Sequence, residues 1–443
     1  MSKSTPPKGI AVPSGRLNRL WHLGRATGDL AAGIGFKGLV EMVRQRGGAE
    51  SARIQLSPEQ TRRFADRLAR MRGAVMKMGQ LMSMDGSDIF TPEAAEIMSG
   101  LRDRAAPMPM SQLAQVLENE YGADWDRAFR RFEFSPIASA SIGQVHRAET
   151  RDGRRLALKI QFPGVRESID SDLYNLSLLI RTLGMAPAGV DIAPFLGEAR
   201  RQLHREADYG AEAEALDAYR VWVGDDPDFF IPGVHRDLST RNILAMDFAD
   251  GVPVDRLAEP DYRRAERDRA ATLLMRLTLR ELFEFALVQT DPNFANYLYD
   301  AASGRIVLLD FGATRSVSPG LVGQYRQLAQ AAIASDRAGL RAASIAIGYM
   351  GADDPTEQVE AMLDLLQLSA EPLRTPGHYD FAVSDLFERV YRQGRALFHS
   401  GAFSTAPAAE TLFLHRKFMG SFMLSRRLRA RVDLATMAQS CLA

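Results

Sequence analysis

The feature that most constrains this chain is a change of period at Arg131. Upstream, apolar residues recur every three or four positions. Phe64, Leu68, Met71, Val75, Met78 and Met82 form one such stripe in a helix expected from Ser57 to Met84, opened by Ser57 as N-cap and Pro58 behind it. Thr91-Pro92-Glu93 opens another helix, and a further helix is expected over 111–130. From Arg131 the pattern becomes short β-forming runs: Arg131 to Ile137, Gly143 to Glu149 and Arg155 to Gln161, with Arg151-Asp152-Gly153 as the turn between the last two. Helical spacing returns from Ile169 to Leu183 and from Pro194 to Val223. Short strands are expected near Ile231 to His235 and Asn242 to Phe248. Beyond Pro260 the chain reads as helix, broken at Asn296 to Tyr299 and Ile306 to Leu309. Strands gathered in one stretch and helices in the next describe an α+β chain of two lobes with a helical N-terminal extension. The expected division is a leader over 1–16, the extension over 17–130, a strand-bearing lobe over 131–250 and a helical lobe over 251–443.

Composition removes several function classes. Basic and acidic residues number 55 each, and no block of five or six like charges occurs. Nucleic acid held mainly by phosphate neutralisation is therefore not expected. Cys441 is the only cysteine, so neither an intrachain disulfide nor a thiolate metal cluster can form, and a reducing, cytoplasmic setting fits. No apolar run reaches the length of a membrane span. The helix expected from Leu17 to Arg46 carries Gly24, Gly28, Ala32 and Gly35 at close to four-residue spacing, which lets another helix approach closely. Three partners suit it: its own domain, a second copy in a homodimer, or peripheral contact with the inner face of a membrane.

Only six of the 55 basic residues are lysine. Arginine replaces lysine well as a surface charge and poorly as a compact point charge in a tight site, so each lysine invites scrutiny. Lys159 ends Leu156-Ala157-Leu158-Lys159, the pattern of a strand whose lysine pairs with nucleotide α- and β-phosphates. Asp310-Phe311-Gly312 follows an apolar strand and matches a motif whose aspartate holds Mg²⁺. An upstream aspartate with an asparagine five residues later must complete the set. His235-Arg236-Asp237 with Asn242 matches a kinase catalytic loop by letter, but Asp237 lies too far before Asp310, with a largely helical stretch between. Asp291 and Asn296 keep the offset, and Asp310 follows soon after; a helix from Thr272 to Val288 would deliver them. His235 to Asn242 is then expected to belong to a strand pair. No glycine-rich loop precedes Lys159. That position holds Ala138, Ser139, Ala140, Ser141, Ile142, Gly143 and Gln144, whose hydroxyls and backbone N–H groups would have to meet the phosphates. No Ala-Pro-Glu follows Gly312, so a peptide-binding platform is absent or remade.

Over roughly residues 60–350 these features resemble the UbiB/AarF family of atypical kinase-like proteins. Lys77-Met78-Gly79-Gln80 looks like the family's K-x-G-Q motif, Ala138 to Gln144 like its alanine-rich loop, and Glu206-Ala207-Asp208 like its E-x-D motif. Glu212 stands where the family's lysine-pairing glutamate stands. Asn293-Phe294-Ala295 departs from the common His-Pro-Gly, altering loop rigidity while keeping the ligand positions. The resemblance implies a two-lobed protein-kinase-like fold binding ATP and Mg²⁺. Lys159, Glu212, Asp291, Lys77 and Gln80 would serve catalysis. Ala138 to Ser141, Gly143, Gln144, Lys159, Glu206 and Asp208 would bind nucleotide, and Asn296 and Asp310 the metal. It further implies that the K-x-G-Q extension covers the peptide entry, leaving ATP hydrolysis linked to an isoprenoid-quinone precursor or lipid. Read without the family, Lys77 can equally be a snorkelling surface lysine, and Glu206 and Asp208 a solvated face. A small-molecule or protein kinase and a non-catalytic nucleotide-binding module remain as alternatives.

Overall fold

The structure is a computed structural model that describes residues 107–182, 193–399 and 409–442. The leader, the helices expected over 17–46 and 57–84, and with them Lys77 and Gln80, lie outside the described residues. The chain divides into two compact units. One holds the described residues up to Glu214 together with Gly233–Phe248; the other holds Ala215–Pro232 and everything from Ala249. Relative to a single boundary at 250, the segment 215–232 therefore belongs with the later unit.

In chain order the elements are α1 (Met110–Tyr121), β1 (Phe129–Phe132), β2 (Ala138–Ser139), β3 (Gly143–Thr150), β4 (Arg155–Gln161), α2 (Val165–Thr182), α3 (Ala193–Glu206), α4 (Tyr209–Val223), β5 (Phe229–Phe230) and β6 (Ile243–Asp247). After β7 (Val252–Pro253) come α5 (Arg264–Phe283), β8 (Leu287–Gln289), β9 (Tyr297–Asp300), β10 (Arg305–Leu308) and β11 (Thr314–Ser316). The remainder is α6 (Pro319–Ala334), α7 (Arg337–Ile347), α8 (Thr356–Ser369), α9 (Glu371–Arg374), β12 (Tyr379–Asp380), α10 (Leu386–His399), α11 (Ala409–Arg427), β13 (Arg431–Val432) and α12 (Leu434–Leu442).

The first unit is built on an antiparallel sheet ordered β1-β3-β4-β6, with β2 also paired to β3. Alternation along β4 decides where its lysine goes. Leu156, Leu158 and Ile160 are fully buried in the core that takes Leu113 and Leu117 from α1 and Leu173 and Leu203 from α2 and α3. Ala157, Lys159 and Gln161 therefore share the opposite face. Strands β3 and β4 approach closely at their open end. A Cβ on Gly143 would sit 3.1 Å from the Ile160 carbonyl carbon and nearer still to its oxygen, so only glycine fits.

Three expected helices end early, each for a local reason. The one expected over 111–130 stops at Tyr121, where Gly122 turns to φ 88°, and β1 has begun by Phe129. The helix expected over 194–223 is two helices. At the break, Gln161 Nε2 donates to the Ala207 carbonyl at 2.9 Å and Asp208 Oδ1 accepts the Ala211 N–H, so the chain restarts with its orphaned groups satisfied. The helix expected to reach Val288 stops at Phe283. The Arg280 carbonyl accepts both the Glu284 and Phe285 N–H groups, Ala286 turns to φ 48°, and Val288 enters β8. Helix α5 is the axis of the second unit, buried on several sides through Ala270, Leu274, Leu277, Thr278, Glu281 and Leu282. Among the described residues no helix is long and apolar enough to cross a membrane.

Candidate functional site

In the first unit Lys159 and Glu212 come together. Lys159 Nζ lies 2.7 and 2.9 Å from the two Glu212 carboxylate oxygens, and both side chains are buried. The Tyr209 ring faces the ammonium with its centroid 5.4 Å away. Two charges held this far from water require a well-matched geometry, and the bidentate contact supplies it. The Ala/Ser loop runs from β2 into β3: Ala138 and Ser139 are exposed, and the Ala140 N–H closes the turn onto the Gly143 carbonyl at 2.9 Å. Ser141 Oγ donates to Glu206 Oε2 at 2.5 Å, which ties the loop to the end of α3. Asp208 caps α4 as described and lies 3.8 Å from Arg166.

Gln144, expected to face nucleotide with the loop, is instead fully buried. Its Oε1 accepts the Met108 N–H at 2.9 Å, and its Nε2 lies 2.7 Å from His146 Nε2. Because β3 alternates, Gln144 and His146 share one face and point into the unit. His146 Nδ1 also lies 2.8 Å from the Glu133 carbonyl. An Nδ1 donor to Glu133 and an Nε2 acceptor from Gln144 together require the neutral imidazole. Burial holds the His146 pKa below its usual value, against the opposing pull of the Glu133 carbonyl. The unfolded chain thus binds the proton first, and stability falls as pH drops through the ordinary histidine value of about 6.5. Urea denaturation at stepped pH is expected to show a steeper acid loss for the parent than for His146→Gln, which preserves a donor and an acceptor. Equal slopes for the two chains would refute the neutral buried role.

The catalytic-loop look-alike belongs to the same sheet. Val234 bridges to Met246, and His235 Nε2 lies 2.8 Å from Asp247 Oδ1. Asp237 pairs with Arg154 at 3.0 Å. These contacts knit a strand pair together and engage His235 and Asp237 within the sheet.

In the second unit, two short ladders bring the remaining candidates together. Asp291 follows β8 and Asn296 immediately precedes β9; Asp310 follows β10 and Phe311-Gly312 lead into β11. Strands β9 and β10 pair with Tyr297 opposite Leu308, and the Leu309 N–H donates to the Asn296 carbonyl at 3.0 Å. Strands β8 and β11 pair with Gln289 opposite Thr314, and Thr290 Oγ1 donates to the Ala313 carbonyl at 2.7 Å. The segments 290–296 and 309–313 are thus stitched at both ends and run side by side. Asn296 and Asp310 sit at the same end of one hairpin. Asn296 Nδ2 donates to the Asp291 carbonyl at 3.3 Å, so its amide oxygen is the atom that could face a cation. Asp310 Oδ1 accepts the Gly312 N–H at 3.0 Å. One amide oxygen and one carboxylate suit a hard cation that keeps several waters, as Mg²⁺ does. Among the described residues no cluster of three His, Cys, Asp or Glu side chains offers a fuller cage.

Sequence reasoning missed what supports these loops. Phe311 is buried against the Tyr219 ring, with centroids 4.8 Å apart. Tyr219, Glu281, Tyr297 and Lys417 form a buried polar group in the same unit. The scarcity of lysine was the one signal that could have marked Lys417.

Residues 100–344 match the ABC1 atypical kinase-like domain. The chain is 36% identical to the mitochondrial atypical kinase COQ8 of Saccharomyces cerevisiae, over 97% of this chain and 85% of that protein. It is 34% identical to the mitochondrial atypical kinase COQ8B of Rattus norvegicus, over 95% of this chain and 79% of the rat protein. Among solved structures, the complex of Rv3197 with erythromycin from Mycobacterium tuberculosis shares the fold, with a TM-score of 0.58 at 24% identity over 86% of this chain and 96% of that one. A buried strand lysine paired to a helix glutamate, an Asp-x₄-Asn loop stitched to an Asp-Phe-Gly segment, and these matches across nearly the whole chain agree: the protein belongs to the ABC1 atypical kinase-like (UbiB/AarF) family.

Proposed function

We propose that this chain binds Mg-ATP and hydrolyses it as an atypical kinase-like ATPase, in support of isoprenoid-quinone or lipid metabolism. The observation that carries the reading is the placement of Asn296 and Asp310 at one end of the β9–β10 hairpin, with Asp291 on the adjoining turn. Lys159, kept in place by Glu212, orients the α- and β-phosphates. The loop from Ala138 to Ser141 borders the nucleotide, its turn closed by the Ala140 N–H on the Gly143 carbonyl, and Glu206 fixes the loop through Ser141. Asn296 and Asp310 hold Mg²⁺, which when bound neutralises phosphate charge. Asp291 positions the attacking water by accepting one of its protons. Phosphoryl transfer asks for positioning and charge neutralisation rather than covalent chemistry, and this residue set offers both. Lys77 and Gln80, three apart in the sequence, are proposed to act at the same nucleotide and to exclude a peptide acceptor.

The retained Asp291 also suits a kinase for a small molecule or a protein, so the acceptor is the discriminating measurement. Labelled γ-phosphate is expected to appear as inorganic phosphate; transfer to an added lipid, quinone precursor or protein would favour the kinase reading. Asp291→Ala is expected to lower turnover by about 10²–10⁴-fold, the range of a positioned general base, while thermal stabilisation by Mg-ATP persists. Absence of any Mg-ATP stabilisation in the parent would defeat the proposal, and turnover undiminished by Asp291→Ala would remove that residue from catalysis.

A further inference from the structure

Lys417 is one of the two lysines among the described residues, and like Lys159 it is buried against a glutamate. Its Nζ lies 2.7 Å from Glu281 Oε2 and donates to the Tyr297 hydroxyl at 3.2 Å. The other Glu281 oxygen accepts from the Tyr219 hydroxyl at 3.0 Å, and that hydroxyl also reaches the Leu287 carbonyl at 3.1 Å. Burial pushes the Glu281 carboxyl up and alone would pull the Lys417 ammonium down, but the Glu281 charge carries the lysine to about 12.

A buried ion pair is a poor source of stability, because apolar residues of similar volume often do as well or better. What distinguishes this one is where its arms end. Tyr297 is the residue after Asn296. Tyr219 packs its ring on Phe311, the residue after Asp310. Leu287 begins the strand that leads to Asp291. The helix that carries Lys417 touches the loop a second time. A Cβ on Gly420 would overlap Pro292 Cβ and lie 2.7 Å from its Cγ, so α11 and the loop are in backbone-close contact. Thr278 and Ser421 hydroxyls, 2.8 Å apart, pin α11 to α5 beside that contact.

We propose that Lys417 is a positioning residue: with Glu281 it fixes the backbone on which Asn296 and Asp310 are presented, from a helix more than a hundred residues further along the chain. The inference rests on the reading of Asn296 and Asp310 as metal ligands. Lys417→Met alone leaves a buried carboxylate, so the informative variant is Lys417→Met with Glu281→Gln, which removes both charges; Gly420→Ala tests the loop contact without touching charge. In the full chain, amide exchange of the 289–300 segment is expected to accelerate about tenfold in both variants, with a cooperative melt retained. The Mg²⁺ concentration giving half-maximal thermal stabilisation by a non-hydrolysable ATP analogue is expected to rise by about tenfold, the scale of a sub-ångström misplacement. Lys417→Arg, which keeps the pair, should recover most of the shift. Parental exchange rates and an unchanged Mg²⁺ midpoint would overturn the proposal. Asp310→Asn separates the two failures. If it leaves the Mg²⁺ response intact, the ligand reading falls and the proposal with it; if it removes the response while the double variant has no effect, only the positioning role falls.

Discussion

Asp310→Asn is expected to abolish Mg²⁺-dependent thermal stabilisation by ATP and to lower turnover by about 10²–10³-fold, the cost of losing one preorganised electrostatic contact in a phosphoryl-transfer site. The substitution is chosen to leave the fold alone. Asn keeps the oxygen that accepts the Gly312 N–H, now at 3.0 Å, so the turn that aims the residue survives. Phe311 stays buried on Tyr219, and the β8–β11 ladder downstream does not depend on the side-chain charge. What changes is the negative charge: a neutral amide binds a hard divalent cation far more weakly than a carboxylate. Differential scanning fluorimetry with ATP across a Mg²⁺ titration, and phosphate release under the same conditions, read the two effects separately. Full stabilisation by Mg-ATP in the variant would show that Asp310 is not a metal ligand.

The sequence was most informative where local pattern and tertiary environment agree. Alternation placed Lys159 opposite Leu156, Leu158 and Ile160, and the strand forms over the residues expected. The juxtaposition of Asn296 and Asp310, the proposed metal ligands, was legible because a short hairpin fixes their separation along the chain. Four things were not legible. The break at Ala207 and Asp208 is made by Gln161, more than forty residues away, so no window on the helix reveals it. Phe283 ends α5 although Phe285 and Val288 continue an apolar helical spacing, since pairing of β8 with β11 outweighs that propensity. Gln144 was grouped with the loop by adjacency, whereas strand alternation turns it inward. Lys417 is the extreme case. Its partners Glu281 and Tyr297 lie 120 residues or more away, and only scarcity distinguished it in the sequence.

Lys159→Met is expected to cost about 3–5 kcal/mol of stability, because Glu212 would be left almost fully buried with its charge uncompensated. For a unit of this size that corresponds to a fall in melting temperature of about 10 °C, readable by calorimetry. Loss of activity in this variant therefore says little about phosphate binding. The charge-free pair Lys159→Met with Glu212→Leu separates the two roles. Removing both charges restores most of the lost stability, since an apolar pair of similar volume often matches a buried ion pair. The Tyr209 ring, 5.4 Å from Nζ in the parent, offers an apolar face to the new side chains. If Lys159 orients phosphates, the double variant regains its fold and not its affinity for ATP, and adenosine, which lacks phosphates, should discriminate little between parent and variant. If Lys159 serves only to neutralise Glu212, ATP affinity returns together with stability, and the lysine's role is structural.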